Sequence, residues 1–171
     1  AYLAACEGRL ECLRVIADRA GVGALAARHP ESLGTPAHKA AKKGHSDSLA
    51  FLATAAPGTL AAVDKAGNTP GFYAAAKGHA GCLAVIAEQA GVDALTATAS
   101  KRRRRPAHAA AMEGHPECLV ALSRVGVSLT PVDKDGAAPA LLAAAKGHDR
   151  CLEVIASIAG AETLSRSYPL A

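Results

Sequence analysis

The sequence predicts an all-α fold made of repeated helix pairs, and three observations support this prediction. About a quarter of the 171 residues are Ala, only 3% are aromatic, and one motif recurs five times along the chain. Ala is the strongest helix former, and a core of Ala, Leu, Ile and Val suits thin, closely packed helices. Sandwiches and barrels depend on β-branched and aromatic residues, so the composition disfavours them. Half of the chain is apolar and 20% is charged, which excludes a disordered chain.

The recurring motif is Gly followed by His, with paired alanines upstream and a Cys or Ser four residues downstream. The first copy is degenerate and carries Arg in place of His. Successive glycines lie 33 to 36 residues apart, at Gly8, Gly44, Gly78, Gly114 and Gly147. A period of this length indicates a solenoid, in which each unit buries its apolar face against its neighbours.

Each unit begins with a short helix and continues with a second one. Thr35 is a good N-cap, and Pro36 suits the first helical position. We expect the first helix to run to about Lys43 and to end at Gly44, because Gly tolerates the left-handed backbone conformation best. A second helix is predicted to begin near Ser46 and to carry leucines on one face.

Tight turns are predicted to join successive units. In residues 64–68 and 133–136 an Asp can accept hydrogen bonds from the local backbone, and a Gly supplies the unusual dihedral angles. The segments before Thr35 and Arg105 lack this Asp-x-x-Gly pattern. We therefore expect a regular helical stack with irregular loops at those two places.

These features resemble the ankyrin repeat. The resemblance rests on Thr35-Pro36-Ala37-His38, on the segment from Asp64 to Pro70 and on the Gly-His dipeptides, and it covers essentially the whole chain. It implies an ankyrin-type helix-turn-helix solenoid with short turn or hairpin connections. The repeats of this single domain would be 1–34, which is partial, then 35–68, 69–104, 105–137 and 138–171. Other residues, among them Phe72, replace the His of the Thr-Pro-x-His box in three repeats.

Both ends of the sequence look like interior units of an array. The first residue falls just after the position where the first Pro would stand. Apolar residues such as Val15 and Ile158 occur where a terminal repeat normally has a polar outer face. We expect the chain to be a piece of a longer array.

Three His-x-x-Cys spacings look like halves of a zinc site. They occur at His79–Cys82, His115–Cys118 and His148–Cys151. Each lies in a separate repeat, and neighbouring helices are roughly 8–10 Å apart, whereas the ligands of one zinc ion converge to within about 2.3 Å. The histidines are therefore expected to bond to backbone, and the cysteines to pack as small apolar residues.

Other chemical motifs are incomplete or absent. The segment from Asp133 begins like a calcium loop, but Ala144 stands where that loop needs a Glu. The sequence contains no nucleotide-binding loop, no zinc-protease motif and no nucleophile elbow. We predict no catalytic residue, no metal and no cofactor, so the protein is not expected to be an enzyme.

Five consecutive cations, Lys101 to Arg105, form the sharpest local feature. One interpretation is a solvated loop, because runs of like charge are often solvated. The functional interpretations are contact with an acidic protein surface, with nucleic acid phosphates or with anionic lipid, and a nuclear import signal. The near absence of aromatic residues that could stack bases disfavours single-stranded nucleic acid.

The ankyrin resemblance implies a concave surface formed by the turns and the exposed positions of the first helices. Twelve cations and three anions map to it, a formal charge of +9 against −5 for the remainder. Tyr73, Met112 and Leu142 would add apolar contacts to this surface. The predicted partner-binding residues are Lys39, Lys42, Lys43, Lys65, Tyr73, Lys77, Lys101, Arg102, Arg103, Arg104, Arg105, Met112, Leu142 and Lys146. Lys134 is the twelfth of the cations mapped to this surface.

The predicted function is that of a non-catalytic scaffold module that binds an acidic protein through this surface. A second hypothesis is an accessory subunit built into a large assembly, membrane-associated or organellar. A third is binding of nucleic acid or anionic lipid through Lys101–Arg105, and no small-molecule substrate is expected. An odd number of cysteines, five, fits a reducing intracellular compartment, the cytoplasm first, with the nucleus and organelles left open.

Overall fold

The computed structural model describes residues 1–97 and 100–160, and in these residues the regular secondary structure is entirely helical. The helices are α1 (Tyr2–Cys6), α2 (Leu10–Ala20), α3 (Pro36–Lys43), α4 (Ser46–Ala55), α5 (Pro70–Ala76), α6 (Ala80–Ala90), α7 (Asp93–Thr96), α8 (Pro106–Glu113), α9 (Pro116–Arg124), α10 (Pro139–Lys146) and α11 (Asp149–Ala159). Two 3-10 turns, Val22–Leu25 and Pro57–Thr59, follow α2 and α4. None of the described helices is both long enough and apolar enough to cross a membrane.

The helices form two rows along the array. The first helices of the pairs, α1, α3, α5, α8 and α10, pack each on the next, and the second helices, α2, α4, α6, α9 and α11, do the same. The two helices of each pair also pack on each other. The predicted all-α helix-turn-helix solenoid is thus confirmed. Each pair lies within one predicted repeat, while the repeat boundaries stay a prediction and residues 161–171 lie outside the described residues.

Paired alanines hold the first helices close together. Ala40 and Ala41 in α3, like Ala74 and Ala75 in α5, are completely buried. Their short side chains let one first helix approach the next, and an interior packed without gaps maximises dispersion contacts. The high Ala content therefore follows from the close packing of the first-helix row.

A second buried set escaped the sequence-based prediction. Each connection between helix pairs contributes one buried leucine: Leu25, Leu60, Leu95 and Leu129. Their spacing of 35, 35 and 34 residues is the signal that could have revealed them. A Cβ added to Gly71 would stand 2.8 Å from Cδ2 of Leu95. Gly71 thus leaves the room that Leu95 needs against α5.

The Gly-His dipeptide joins each helix pair to the next. Gly44 ends α3 with a φ of +80°, and a Cβ there would stand 2.6 Å from Nδ1 of His79 in the following pair. Gly8 meets His45 in the same way. His45 also donates from Nε2 to the carbonyl of Cys6 at 3.0 Å. The glycines are required both by their left-handed backbone and by the imidazole packed against them.

Buried histidines tie first helices to the turns that follow. Nδ1 of His38 accepts from the Thr35 backbone N–H at 3.0 Å, and its Nε2 donates to the Asn68 carbonyl at 3.1 Å. His108 repeats this arrangement, with the Arg105 N–H at 3.1 Å and the Ala137 carbonyl at 3.2 Å. Burial lowers the pKa of both imidazoles, so the neutral form is favoured in the fold.

Four hairpin tips precede the first helices, and we name them tip 1 (29–34), tip 2 (64–68), tip 3 (100–104) and tip 4 (133–137). In tip 2, Oδ1 of Asp64 accepts the backbone N–H groups of Ala66 and Asn68 at 2.9 and 3.0 Å. Asp133 does the same in tip 4. The predicted Asp-based turns are confirmed.

Tips 1 and 3 are more regular than their sequences predict. Leu33 and Arg103, with φ of +55° and +54°, occupy the left-handed position that Gly fills in tips 2 and 4. Each turn is closed by a backbone bond, from Leu33 N–H to the His29 carbonyl and from Arg103 N–H to the Ser100 carbonyl. The expectation of irregular loops was wrong for these two tips, where non-glycine residues adopt the left-handed conformation in a closed turn. Residues 98–99, which the expectation also covered, lie outside the described residues.

Candidate interaction surface

Lysines of the first helices lie at the solvent-exposed ends of α3, α5 and α10. Lys42 and Lys43 end α3, Lys77 follows α5 and Lys146 ends α10, and all four are exposed. Lys39 is half-buried, with Nζ 5.2 Å from the centroid of the Tyr2 ring. A cation at that distance is attracted by the ring face.

Tyr73 is held between a carboxylate and a cation. Its hydroxyl donates to Oδ2 of Asp64 at 2.6 Å, and Nζ of Lys42 lies 5.3 Å from its ring centroid. Burial and the Asp64 carboxylate together raise the pKa of the Tyr73 hydroxyl. Tyr73, predicted from the sequence to supply apolar contacts, is therefore half-buried, and its hydroxyl is bound to tip 2.

Arg104 is bound within the molecule. Its Nε lies 3.0 Å from Oδ2 of Asp133, and its Nη1 donates to Sδ of Met112 at 3.3 Å. The Arg104 side chain is 20% exposed and that of Asp133 is not exposed at all. Burial alone would raise the pKa of Asp133, but the bonds from Arg104 and from two backbone N–H groups outweigh it and lower that pKa.

The other members of the basic run divide into paired and unpaired cations. Nη1 of Arg102 lies 2.8 Å from Oδ2 of Asp135, and both side chains are exposed. Within 1–97 and 100–160, no carboxylate lies at ion-pair distance from Lys101, Arg103 or Arg105. Lys101 and Arg103 are exposed and Arg105 is half-buried. Three of the five cations thus have charges free to meet a ligand.

A groove of about 690 Å³ separates tip 2 from tip 3. One wall is residues 63–68, the other is 100–102 with Arg104, and Phe72 lies between them. The cavity that Tyr2, Tyr73 and residues of tips 1 and 2 enclose measures about 120 Å³. The groove combines exposed Lys65 and Lys101 with a half-buried aromatic ring.

Two aspartates lie among the cations that were mapped to this surface. Asp64 lines both the groove and the smaller cavity, and Asp133 contacts Arg104. Counting both lowers the formal surplus of the surface from +9 to +7. Met112 and Leu142 are half-buried, and the sulfur of Met112 is already a partner of Arg104.

The His-x-x-Cys segments have structural contacts in every repeat where they occur. The imidazoles of His115 and His148 pack against Gly78 and Gly114 of the preceding pairs. Burial raises the pKa of the Cys82 and Cys151 thiols to about 11, and that of Cys118 to about 12. Thiols with such pKa values stay protonated and poorly reactive at neutral pH. No group of three potential ligands suited to a metal occurs in the described part of the chain.

A family model of ankyrin repeats, three copies long, matches residues 1–98, which is more than half of the chain. The chain belongs to the ankyrin repeat family. No curated protein matches the sequence significantly. Ankyrin repeats are generally protein–protein interaction scaffolds, and the family is typically non-catalytic. The two helix pairs after the matched region, α8–α9 and α10–α11, continue the same ankyrin stacking.

Proposed function

We propose that this ankyrin stack is a non-catalytic module whose basic face binds an acidic segment of another protein. The basic face consists of the cations on the first helices and tips: Lys39, Lys42, Lys43, Lys65, Lys77, Lys101, Arg102, Arg103, Arg104, Arg105, Lys134 and Lys146. Half-buried Tyr73, Met112 and Leu142 supply apolar surface among them.

The unpaired cations of tip 3 carry this proposal. Arg102 and Arg104 anchor the tip to tip 4 through Asp135 and Asp133. With the tip fixed, Lys101 and Arg103 remain exposed. Charges fixed in position attract an acidic chain at long range and discriminate against basic ones. Their free charges favour a ligand over a purely structural role for the run.

Exposed apolar side chains favour a second candidate function, membership in a larger assembly. Leu3 is 78% and Val15 is 56% exposed in the first helix pair. Such residues are suited to contact with another subunit. In this case the apolar residues of the first pair would hold the partner, and the basic face would contribute little.

The five thiols are unpaired, and three of them are buried. We propose a reducing intracellular compartment on this ground, since reduced cysteines persist there. The cytoplasm fits first, and a nuclear or organellar location would equally keep these thiols reduced.

Binding of defined probes to the intact chain tests the proposed function. Fluorescence anisotropy would be measured with a labelled Glu-rich peptide, a neutral Gln counterpart, a short DNA duplex and vesicles with and without anionic lipid. We expect the Glu-rich peptide to bind, the Gln peptide to fail, and affinity to fall as salt rises. Stronger binding of the duplex or of anionic vesicles than of the peptide would mean that the basic face binds nucleic acid or lipid and not an acidic protein.

Charge reversals locate the binding face. Lys42→Glu, Lys43→Glu and Lys77→Glu together should weaken peptide binding by about tenfold or more, because three attractive charges become repulsive. The matched control reverses Arg19, Arg124 and Arg150, which lie on second helices and change the net charge equally. Equal losses in both triple variants would mean that only net charge matters, and would contradict a defined basic face.

A further inference from the structure

Backbone hydrogen bonds join tip 1 to tip 2 and tip 3 to tip 4. The Lys65 N–H donates to the Ser32 carbonyl at 2.8 Å, and the Lys134 N–H donates to the Arg102 carbonyl at 2.8 Å. The corresponding groups between tips 2 and 3 are the N–H of Lys101 and the carbonyl of Ala66. Neither has a hydrogen-bond partner in residues 1–97 and 100–160, so no direct bond of this type joins tips 2 and 3 there.

The histidine link is missing at the same junction. His38 donates to the carbonyl of Asn68 in tip 2, and His108 donates to the carbonyl of Ala137 in tip 4. In the third repeat the corresponding residue is Phe72, which has no donor for tip 3. Among the described residues, the junction of tips 2 and 3 thus lacks both the backbone bond between tips and the histidine bond, and the Phe72 ring stands where the imidazole would be.

The groove of about 690 Å³ lies at this junction, with the half-buried Phe72 ring between its walls. A volume of this size lies within the range of sites that hold a small ligand, so it has room for one inserted side chain. Lys101 and Ala66 are exposed residues of opposite walls, and the N–H of the one and the carbonyl of the other can pair with the main chain of an extended peptide. The groove therefore offers an apolar floor and backbone bonding groups together.

The charges around the groove indicate which groups a bound peptide would carry there. Arg102 and Arg104 form ion pairs with aspartates of tip 4. Asp64 accepts hydrogen bonds from Tyr73 and from two backbone N–H groups. Lys65 and Lys101, exposed on opposite walls, have no carboxylate at ion-pair distance in the described residues. An occupant with carboxylates on both sides of an apolar residue matches this arrangement.

We propose that the groove between tips 2 and 3 seats one aromatic or large aliphatic side chain of an extended acidic peptide, whose carboxylates contact Lys65 and Lys101. The proposal rests on the proposed function and names the part of the acidic partner that is recognised.

Binding of two acidic peptides that differ at one residue to the intact wild-type chain tests the groove proposal. Both are Glu-rich, and the central residue is Phe in one and Ser in the other. We expect the Phe peptide to bind about tenfold or more tightly, since burial of a Phe side chain is worth at least that factor. Equal affinities would overturn the groove proposal and leave the basic face intact. Failure of both peptides to bind would overturn the proposed function and this inference with it.

Substitutions at the floor and a cross-link locate the inserted side chain. Phe72→His restores the donor found in two other repeats and should reduce the preference for Phe over Ser to less than about twofold, whereas Phe72→Leu should keep it. A photoreactive Phe analogue at the centre of the peptide should cross-link to residues 63–68, to Phe72 or to residues 100–104 of the wild-type chain. A preserved preference in a folded Phe72→His variant, or cross-links elsewhere, would overturn the proposal.

Discussion

Nε of Arg104 lies 3.0 Å from Oδ2 of Asp133, although 29 residues separate them and the Asp133 side chain is fully buried. This ion pair places one of five consecutive cations in a structural role. It fixes tip 3 against tip 4 and presents the neighbouring Lys101 and Arg103 to solvent. The basic run is thus an anchored hairpin tip with a subset of free charges.

Removal of the Arg104 guanidinium should destabilise the fold. Arg104→Met leaves Asp133 without its charged partner, and we expect the free energy of unfolding to fall by about 2–4 kcal/mol. Arg102→Met, which breaks only an exposed ion pair, should cost no more than about 1 kcal/mol. Urea unfolding followed by circular dichroism measures both variants. Equal losses would mean that the Arg104–Asp133 pair has no special role.

The contact between Gly44 and His79 predicts a graded effect of Ala substitution. At φ near +80° any Ala costs about 1–2 kcal/mol, and in Gly44→Ala the new methyl group also meets the His79 ring. The matched control is Gly126→Ala, where φ is +82° and nothing lies within 4 Å of the added Cβ. We expect Gly44→Ala to lower the free energy of unfolding by at least about 1 kcal/mol more than the control. A smaller loss in Gly44→Ala would contradict the packing described.

Ser48 carries a buried hydroxyl without a hydrogen-bond partner among the described residues. The other repeats have Cys in its place, and Cys82, Cys118 and Cys151 are buried there. We expect Ser48→Cys to raise the free energy of unfolding by up to about 1 kcal/mol, since an unsatisfied buried polar group is removed. Ser123→Cys, at a half-buried serine of α9, serves as the control and should leave stability nearly unchanged. A lower urea midpoint for Ser48→Cys would refute this interpretation.

Stability should fall as the pH is lowered through the range of the histidines. Burial lowers the pKa of His38 and His108 below their ordinary 6.5, so the unfolded chain binds protons at a higher pH than the folded chain does. Their contribution is fully present above about pH 6.5 and is lost as the pH falls below it. NMR titration of the folded protein should show both imidazoles protonating below 6.5, with the urea midpoint decreasing from about pH 7.5 to about pH 5. Titration of His38 and His108 above 6.5 would contradict the prediction.

Local features of the fold could be predicted from the sequence, and contacts between repeats could not. Thr35, Pro36 and Gly44 mark the bounds of α3, because capping and the left-handed stop depend on neighbouring residues only. That the imidazole of His79 covers Gly44 depends on how two helix pairs stack, which no local pattern contains. The buried leucines have a regular spacing in the sequence. They lie in the connections between helix pairs, in turns or in a four-residue helix too short to show a helical periodicity.

The candidate site shows the same division. The sequence predicts the clustering of cations, since their positions within the repeat place them on one surface. It treats Lys101–Arg105 as one block, whereas the structure separates Arg102 and Arg104, which bond to tip 4, from the rest. Pairing with aspartates about 30 residues away depends on the register between tips. The groove at Phe72 lies where the described residues lack the bonds that join tip 1 to tip 2 and tip 3 to tip 4. In the sequence, the replacement of one His by Phe72 is a weak sign of this.

Three substitutions at the unpaired cations give the most direct test of the basic face. The variant combines Lys101→Ala, Arg103→Gly and Arg105→Thr, which together remove the free charges. Gly67 occupies the position of Arg103 in tip 2, and Thr69 occupies the position of Arg105 before α5, so these two replacements suit the local backbone. The measurement is the dissociation constant of the Glu-rich peptide at low salt for this variant and for the wild type. We predict binding weaker by about tenfold or more, with unfolding stability unchanged or higher. An unchanged dissociation constant in the folded variant would contradict the account.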